Sequence, residues 1–299
     1  VLTCPCLQNG DTVLVATGNY IPSYLMEVYV ERSKTFYIDK NIVMIGGYSN
    51  DFLTRDRDLY PTILNGDIGV SGTNTDNSFH VVFFNSNSAS ESLLKGFAIR
   101  NGYANDSYNS GGGVYYGTLD ECIIDSNYAS YYGGGTYYTN LSNCILQNNS
   151  TDDYGGASYY GVSDNCSYIN NSSNYYGGAK YGGTSNYCEF IDNHSNSYGG
   201  AVTEGILHHC TLIGNSSYYG GGTYGGDSYH CKYNQNSATY RGGGSYYSDL
   251  YNCLFTENSS QYGGGKYGDR AYNCTFVKNN ASYSGGGNAY GDNYNCIFW

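Results

Sequence analysis

Hydrophobic positions along this chain do not follow the 3.6-residue rhythm of a helix. From residue 111 onward they return in short bursts at one long, fixed interval. Each burst is a cysteine, a variable residue and an apolar or aromatic residue, with asparagine three positions later. The cysteines are Cys122, Cys144, Cys166, Cys188, Cys210, Cys231, Cys253, Cys274 and Cys296, spaced 22, 22, 22, 22, 21, 22, 21 and 22 residues apart. Two residues after them stand Ile124, Leu146, Tyr168, Phe190, Leu212, Tyr233, Phe255, Phe276 and Phe298. Five residues after them stand Asn127, Asn149, Asn171, Asn193, Asn215, Asn236, Asn258 and Asn279. Nine residues before each cysteine a Gly-Gly-Gly or Gly-Gly-Ala block ends, from Gly113 and Gly135 through Ala157, Ala179 and Ala201 to Gly287. That offset never changes, so insertions and deletions are confined to the stretch between a cysteine and the next glycine block.

Strand side chains alternate, so each cysteine and the residue two beyond it share a face. The pair predicts a short strand pointing two residues inward. The glycine block is incompatible with a helix and marks a bend or a close backbone approach. A coil of this length cannot bury its own hydrophobic face. Stacked on like coils about 4.8 Å apart, it gains parallel-sheet hydrogen bonds and a continuous core, and every motif position becomes a column. Inward asparagines in such a column supply one another, amide to carbonyl.

The expected fold class is therefore all-β: a single-stranded right-handed parallel β-helix of nine regular coils over residues 111–299, preceded by irregular coils and a cap over 1–110, in one continuous domain. In the first part the runs Thr12 to Ala16, Asn41 to Ile45, Phe79 to Phe84 and Leu93 to Ile99, separated by Gly, Asn and Asp turns, imply four or five irregular coils. A helical repeat fails on composition, and an Asp-rich calcium-binding nonapeptide array fails because no aspartate recurs in register.

The motifs Gly199-Gly200-Ala201, Phe190 to Asn193 (FIDN), Phe255 to Asn258 (FTEN) and Phe276 to Asn279 (FVKN) resemble the GGA and FxxN repeats of chlamydial polymorphic outer-membrane proteins and their relatives. The opening third, with GDTVLVATGNY at 10–20, PTILNGDI at 61–68 and LLKGFAIRNG at 93–102, is similar to β-helix repeat proteins of the pectate-lyase-like fold. The resemblance covers nearly the whole chain and implies the solenoid. It implies little about function, because this fold hosts lyases, hydrolases, adhesins and structural proteins. The C-terminal membrane barrel of the chlamydial proteins has no counterpart here, and tyrosine is used far more heavily than their pattern requires.

Composition narrows the partners. A net charge of −12 makes nucleic acid and anionic lipid poor partners, and no apolar run is long enough to insert in a membrane. The opening VLTCPCLQNG lacks a signal-peptide pattern, as expected once such a segment has been removed. Tyrosine, 39 residues in all, falls into columns. Tyr115, Tyr137, Tyr159, Tyr181, Tyr224, Tyr246 and Tyr267 lie two residues past the glycine block, and Tyr132, Tyr154, Tyr176, Tyr198, Tyr219 and Tyr262 lie just before it. The interior of such a coil is narrow, so some of these rings must form outward ladders. With Trp299 the first set is the candidate interaction surface, suited to lateral packing of copies or to stacking against sugars.

Candidate chemistry is sparse, and no catalytic, cofactor or metal site is expected. Parallel strands hold neighbouring cysteine Cβ atoms about 4.8 Å apart, against the 3.8 Å or so a disulfide prefers, so the column favours buried thiols. Cys4 and Cys6 are candidates for a bond to another chain or to the end of the column. His209 and His230 fall in register and, with Glu204, form the one conceivable metal set. Their column also holds Glu121, Asn143, Tyr187 and Asn252, which reads as a solvent-facing position. Asp152-Asp153 reads as a solvated turn, and Arg55, Asp56, Arg57 and Asp58 as a structural loop. Sequons at the ladder asparagines point inward and are poor glycan acceptors; Asn105 and Asn140 are better ones.

The sequence stops mid-strand at Trp299, so either it is a piece of a longer protein or the open edge there is used for end-to-end docking. The expected function is a non-catalytic extracellular structural protein, a β-solenoid subunit of a cell-surface fibre, sheath or surface layer. Its partners would be copies of itself, end to end and side by side, and surface glycans. The alternative is an adhesin or carbohydrate-binding protein, and a third reading is a polysaccharide lyase or hydrolase.

Overall fold

The computed structural model describes residues 7–268 and 270–299. The chain is an all-β parallel solenoid whose regular coils carry four short strands, save the last, which carries two. The coil beginning after Gly113 shows the plan. Val114–Tyr115 lies in sheet I, Thr118–Asp120 in sheet II, Ile123–Asp125 in sheet III and Tyr128–Ala129 in sheet IV. Each strand pairs in parallel with its counterpart one coil on, as Ile123–Asp125 does with Ile145–Gln147. Sheets I to IV hold 11, 12, 12 and 9 strands. They run without a break across residue 110, since Leu93–Lys95 pairs with Thr118–Asp120 and Phe97–Arg100 with Ile123–Asp125.

Corners explain why the repeat is so exact. Three corners per coil turn through one or two residues in the left-handed region, for example Tyr116 and Gly117 (φ 63° and 85°), Glu121 (φ 54°) and Ser126 (φ 56°). The fourth is the glycine block. Gly133 bends the chain at φ +58°, while a Cβ on Gly134 would sit 2.1 Å from the Ser150 carbonyl oxygen and 2.5 Å from that of Gly156. One glycine turns the chain and the next lets coils touch backbone to backbone.

Inside, the expected columns are present. Eight of the repeat cysteines are buried and Cys296 is partly so; all nine are free thiols. Each thiol donates to backbone carbonyls rather than to another sulfur, as Cys188 does to Ser163 and Asn186, both at 3.3 Å. The asparagine ladder is fully satisfied. Asn171 Nδ2 donates to Asn193 Oδ1 at 3.0 Å and to the Leu146 carbonyl at 2.9 Å, and its backbone N–H also donates to Asn193 Oδ1 at 2.9 Å.

Two interior features were not read from the sequence. From Leu119 to Ala271 the position three before the cysteine is also inward, and where it is small the residue two after the cysteine is a large ring. Leu119 faces Ile124 and Leu141 faces Leu146, whereas Ser163 accompanies Tyr168 and Ser228 accompanies Tyr233. In the last two pairs the serine hydroxyl meets the phenol at 2.7 and 2.6 Å. A small residue opens the space for a large ring and supplies its hydrogen bond, so core density is conserved coil by coil. The second feature is a fully buried lysine in sheet I. Lys180 Nζ donates to Ser163 Oγ at 2.7 Å and to the carbonyls of Gly161 and Thr184 at 3.1 Å. Burial pulls its ammonium down to about 8, and the nearby Cys188 and Cys166 oppose that shift.

The N-terminal part corrects the coil count. Among the described residues three strands precede the regular coils in sheet II (Thr12–Ala16, Val43–Tyr48, Leu93–Lys95), which makes three irregular coils there rather than four or five. Long excursions account for the rest of the length. The loop after Tyr48 folds back over the solenoid, where Arg55 pairs with Glu121 at 2.7 Å and Arg57 donates to the Glu121 carbonyl at 2.6 Å. Asp56 caps the same loop, accepting from the N–H groups of Asp58 and Leu59 at 3.0 Å. Tyr24–Leu25 pairs antiparallel with Lys34–Ile38 where the first coil passes into the second.

Candidate interaction surface

Sheet I strands are two residues long, so their sequence fixes their faces. The first residue (Val114, Thr136, Ser158, Lys180, Val202, Thr223, Ser245, Lys266) is buried, and the second points outward. That second position is the tyrosine column. Rings of Tyr115 and Tyr137 stack at 4.8 Å, Tyr137 with Tyr159 and Tyr159 with Tyr181 at 5.5 Å, the last pair only 5° from parallel. Thr203 interrupts the column, which resumes through Tyr224, Tyr246 and Tyr267 at 5.4 and 5.5 Å. Phe83 extends it upstream, 4.9 Å from Tyr115.

A second column runs beside it. Tyr132, Tyr154, Tyr176, Tyr198 and Tyr219 stack at 5.0–5.4 Å. The two columns meet edge to face, as in Tyr154 against Tyr181 (4.9 Å, 80°) and Tyr198 against Tyr224 (4.8 Å, 61°). Arg241 replaces tyrosine in register after Tyr219 and lies over the rings of Tyr240 and Tyr267 at 4.6 and 4.8 Å, a cation–π contact. Corner tyrosines Tyr116, Tyr138 and Tyr160 form a third file.

The packing decides what this surface can present. Within a column each ring lies against the face of the next, so π-faces are consumed inside the array. Ring edges and hydroxyls remain outward. The predicted column is accordingly half-buried, and Tyr246 reaches full burial at 9% exposure. Desolvation, then neighbouring phenols, push the pKa of Tyr181 up to about 12 and raise those of Tyr115 and Tyr159 further still. These hydroxyls stay protonated. Trp299 is 84% exposed, its backbone N–H held by the Phe276 carbonyl at 2.8 Å.

A further ladder escaped the sequence reading, although its signal was present two residues before each late cysteine. On sheet II, His208, Tyr229, Tyr251, Tyr272 and Tyr294 stack at 4.8–5.2 Å. Asp227 and Asp249 flank it, Asp249 paired with Arg270.

The remaining candidates fall apart in space. His209 and His230 do stack, at 4.9 Å and 6°, with Tyr187 above them at 5.0 Å. They occupy the corner before the cysteines, whereas Glu204 occupies the corner after sheet I. Among the described residues no group of three or more His, Cys, Asp or Glu could hold a metal ion. Asp152 accepts from Tyr128 Oη at 2.5 Å and from Asn174 at 3.2 Å, while burial, then Asp152, raises its neighbour Asp153. The ladder asparagines are 0–1% exposed from Asn127 to Asn258, so their sequons are closed in the fold. Asn140 is exposed, while Asn105 Oδ1 is engaged by Arg32 at 2.8 Å. A cavity of about 420 Å³ inside the first coils is lined by apolar and hydroxyl side chains such as Val13, Phe36, Met44 and Leu64. Cys4 and Cys6 lie outside the described residues. No helix among the described residues is long and apolar enough to cross a membrane.

No protein family, curated protein or solved structure matches this chain.

Proposed function

We propose that the chain is a non-catalytic extracellular structural protein, a solenoid subunit of a cell-surface fibre, sheath or surface layer. One observation carries the reading: the tyrosine face of sheet I. It presents ring edges and protonated hydroxyls, with Arg241 the one charged side chain in the second tyrosine column, on a protein of net charge −12. Acidic copies repel one another over most of their surface, and a face of low charge density is where that repulsion is least. Its rows repeat at the coil spacing, so two such faces can interdigitate along their whole length.

Kinship with the GGA and FxxN repeat proteins belongs to the same proposal and rests on the motif columns. Light scattering and negative-stain electron microscopy at rising concentration test the assembly reading. The triple variant Tyr137→Ser, Tyr159→Ser, Tyr181→Ser should keep its circular dichroism and lose lateral association. Dispersed wild-type monomers at every concentration would sink the proposal.

The adhesin reading requires sugar rings to stack on free aromatic faces, and the ladders leave few. Glycan-array binding by a monomeric protein, lost in the same triple variant, would favour it. For the lyase or hydrolase reading, incubation with acidic and neutral polysaccharides, with and without calcium, is expected to give no turnover.

A further inference from the structure

Cysteine and corner tyrosine are segregated on the coils that carry Cys144 and Cys166. Cys144 and Cys166 are each 1% exposed, with their thiols turned into the core. On the same two coils Tyr138 and Tyr160 are 44% and 37% exposed. Their rings lie 5.3 Å apart and 7° from parallel, at equivalent corners of adjacent coils. Both corners are held in the left-handed region, at φ 48° and 55°, so neither ring can move off with its backbone. At these two coils an oxidant arriving from solvent meets paired phenols, while the thiols that would quench a phenoxyl radical are buried.

We propose that Tyr138 and Tyr160 are a site of oxidative coupling, forming a dityrosine staple between neighbouring coils. The oxidant is a peroxide acting through a haem peroxidase. Each phenol gives up one electron and one proton, and the peroxide takes both electrons and both protons to form two waters. The two radicals join through the carbons ortho to their hydroxyls, and loss of those two ring hydrogens to the phenol oxygens restores both aromatic rings. Relative to the starting chain the product lacks two hydrogens. The staple does for successive coils what the buried cysteine column cannot, because those sulfurs bond to backbone carbonyls and not to one another.

The inference does not depend on self-assembly, and its test uses dilute monomer. The purified chain is treated with hydrogen peroxide and a haem peroxidase, then unfolded, alkylated and digested with a protease that cuts after Asp and Glu. Such a protease separates the two tyrosines at Asp152 and Asp153. The expected result is a linked pair of peptides joining Tyr138 to Tyr160 within one chain, two hydrogens lighter than their sum, with dityrosine fluorescence. Tyr160→Phe keeps the ring stack but cannot form the radical, so that linked pair should vanish while the variant unfolds in urea like the untreated wild type. Linked peptides only between chains, or the same intrachain product from Tyr160→Phe, would overturn the proposal.

Discussion

Asn193 shows what a buried amide requires. Its Oδ1 accepts from the backbone N–H and the Nδ2 of Asn171, and its own Nδ2 donates to the Tyr168 carbonyl and to Asn215 Oδ1. Replacing it with alanine strands donors above and acceptors below in a dry interior. Asn193→Ala should cost about 3–5 kcal/mol in urea unfolding, given about 1–3 kcal/mol for each buried group left unpaired. Asn279→Ala, at a partly buried rung, should cost less. Lys180 is the opposite case, a charge met only by neutral acceptors. Its folded value near 8 lies below the roughly 10.4 of an unfolded lysine. Between those values the unfolded chain holds more protons, so this group adds stability as pH rises from about 8 to 10. Lys180→Met should abolish that increment, and the difference in urea midpoint between variant and wild type should shrink from pH 7 to pH 9.5. The asparagine ladder could be read from spacing alone. Lys180 could not, because its burial depends on the space left by Ser163 on the preceding coil.

At the scale of the coil, the glycine block separates two kinds of constraint. Gly134 has a carbonyl of the neighbouring coil where its Cβ would be, so Gly134→Ala must push coils apart. The expected loss is about 1–3 kcal/mol or more by thermal or urea unfolding. Gly135 occupies the position filled by Ala157, Ala179 and Ala201 in other coils. A Cβ on Gly135 would lie 2.7 Å from the Ala157 carbonyl oxygen, a milder clash than at Gly134, so Gly135→Ala should cost less than Gly134→Ala, and equal losses at both sites would refute this account of the block. The Gly-Gly-Ala pattern made that distinction legible in advance. The four-sided cross-section was not legible, since corners are made as readily by Glu121, Tyr187 and His209 as by asparagine or glycine. A corner residue points to solvent, and its identity is free.

For the whole molecule the tyrosine face sets the response to alkali. Burial holds Tyr108 and Tyr181 near 12 and pushes Tyr115 and Tyr128 up as well, with help from neighbouring phenols at Tyr115 and Tyr181, from Glu27 at Tyr108 and from Asp152 at Tyr128, against about 10 in an unfolded chain. Groups raised in the fold stabilise it fully below their unfolded value, and that contribution is lost as pH climbs toward the folded one. The melting temperature should therefore fall steeply between pH 10 and 12 in calorimetry. A flat profile over that range would mean the phenols are not desolvated. Stacking along the axis and edge contacts between columns make this face one connected array, which is why a single interruption such as Thr203 leaves it continuous through Tyr198 and Tyr224.

By itself the sequence determined the solenoid, the coil length, the inward cysteine and asparagine columns and the outward tyrosine column. All of these follow from a period that places like residues one above another, and a period is a one-dimensional property. Tertiary structure alone decided how many irregular coils precede the regular ones, that Lys180 and Lys266 are buried, that serine makes room for Tyr168 and Tyr233, and that the tyrosine faces are turned on each other. Those outcomes depend on pairs that meet across the width of a coil or around a corner, where distance in the chain and distance in space part company.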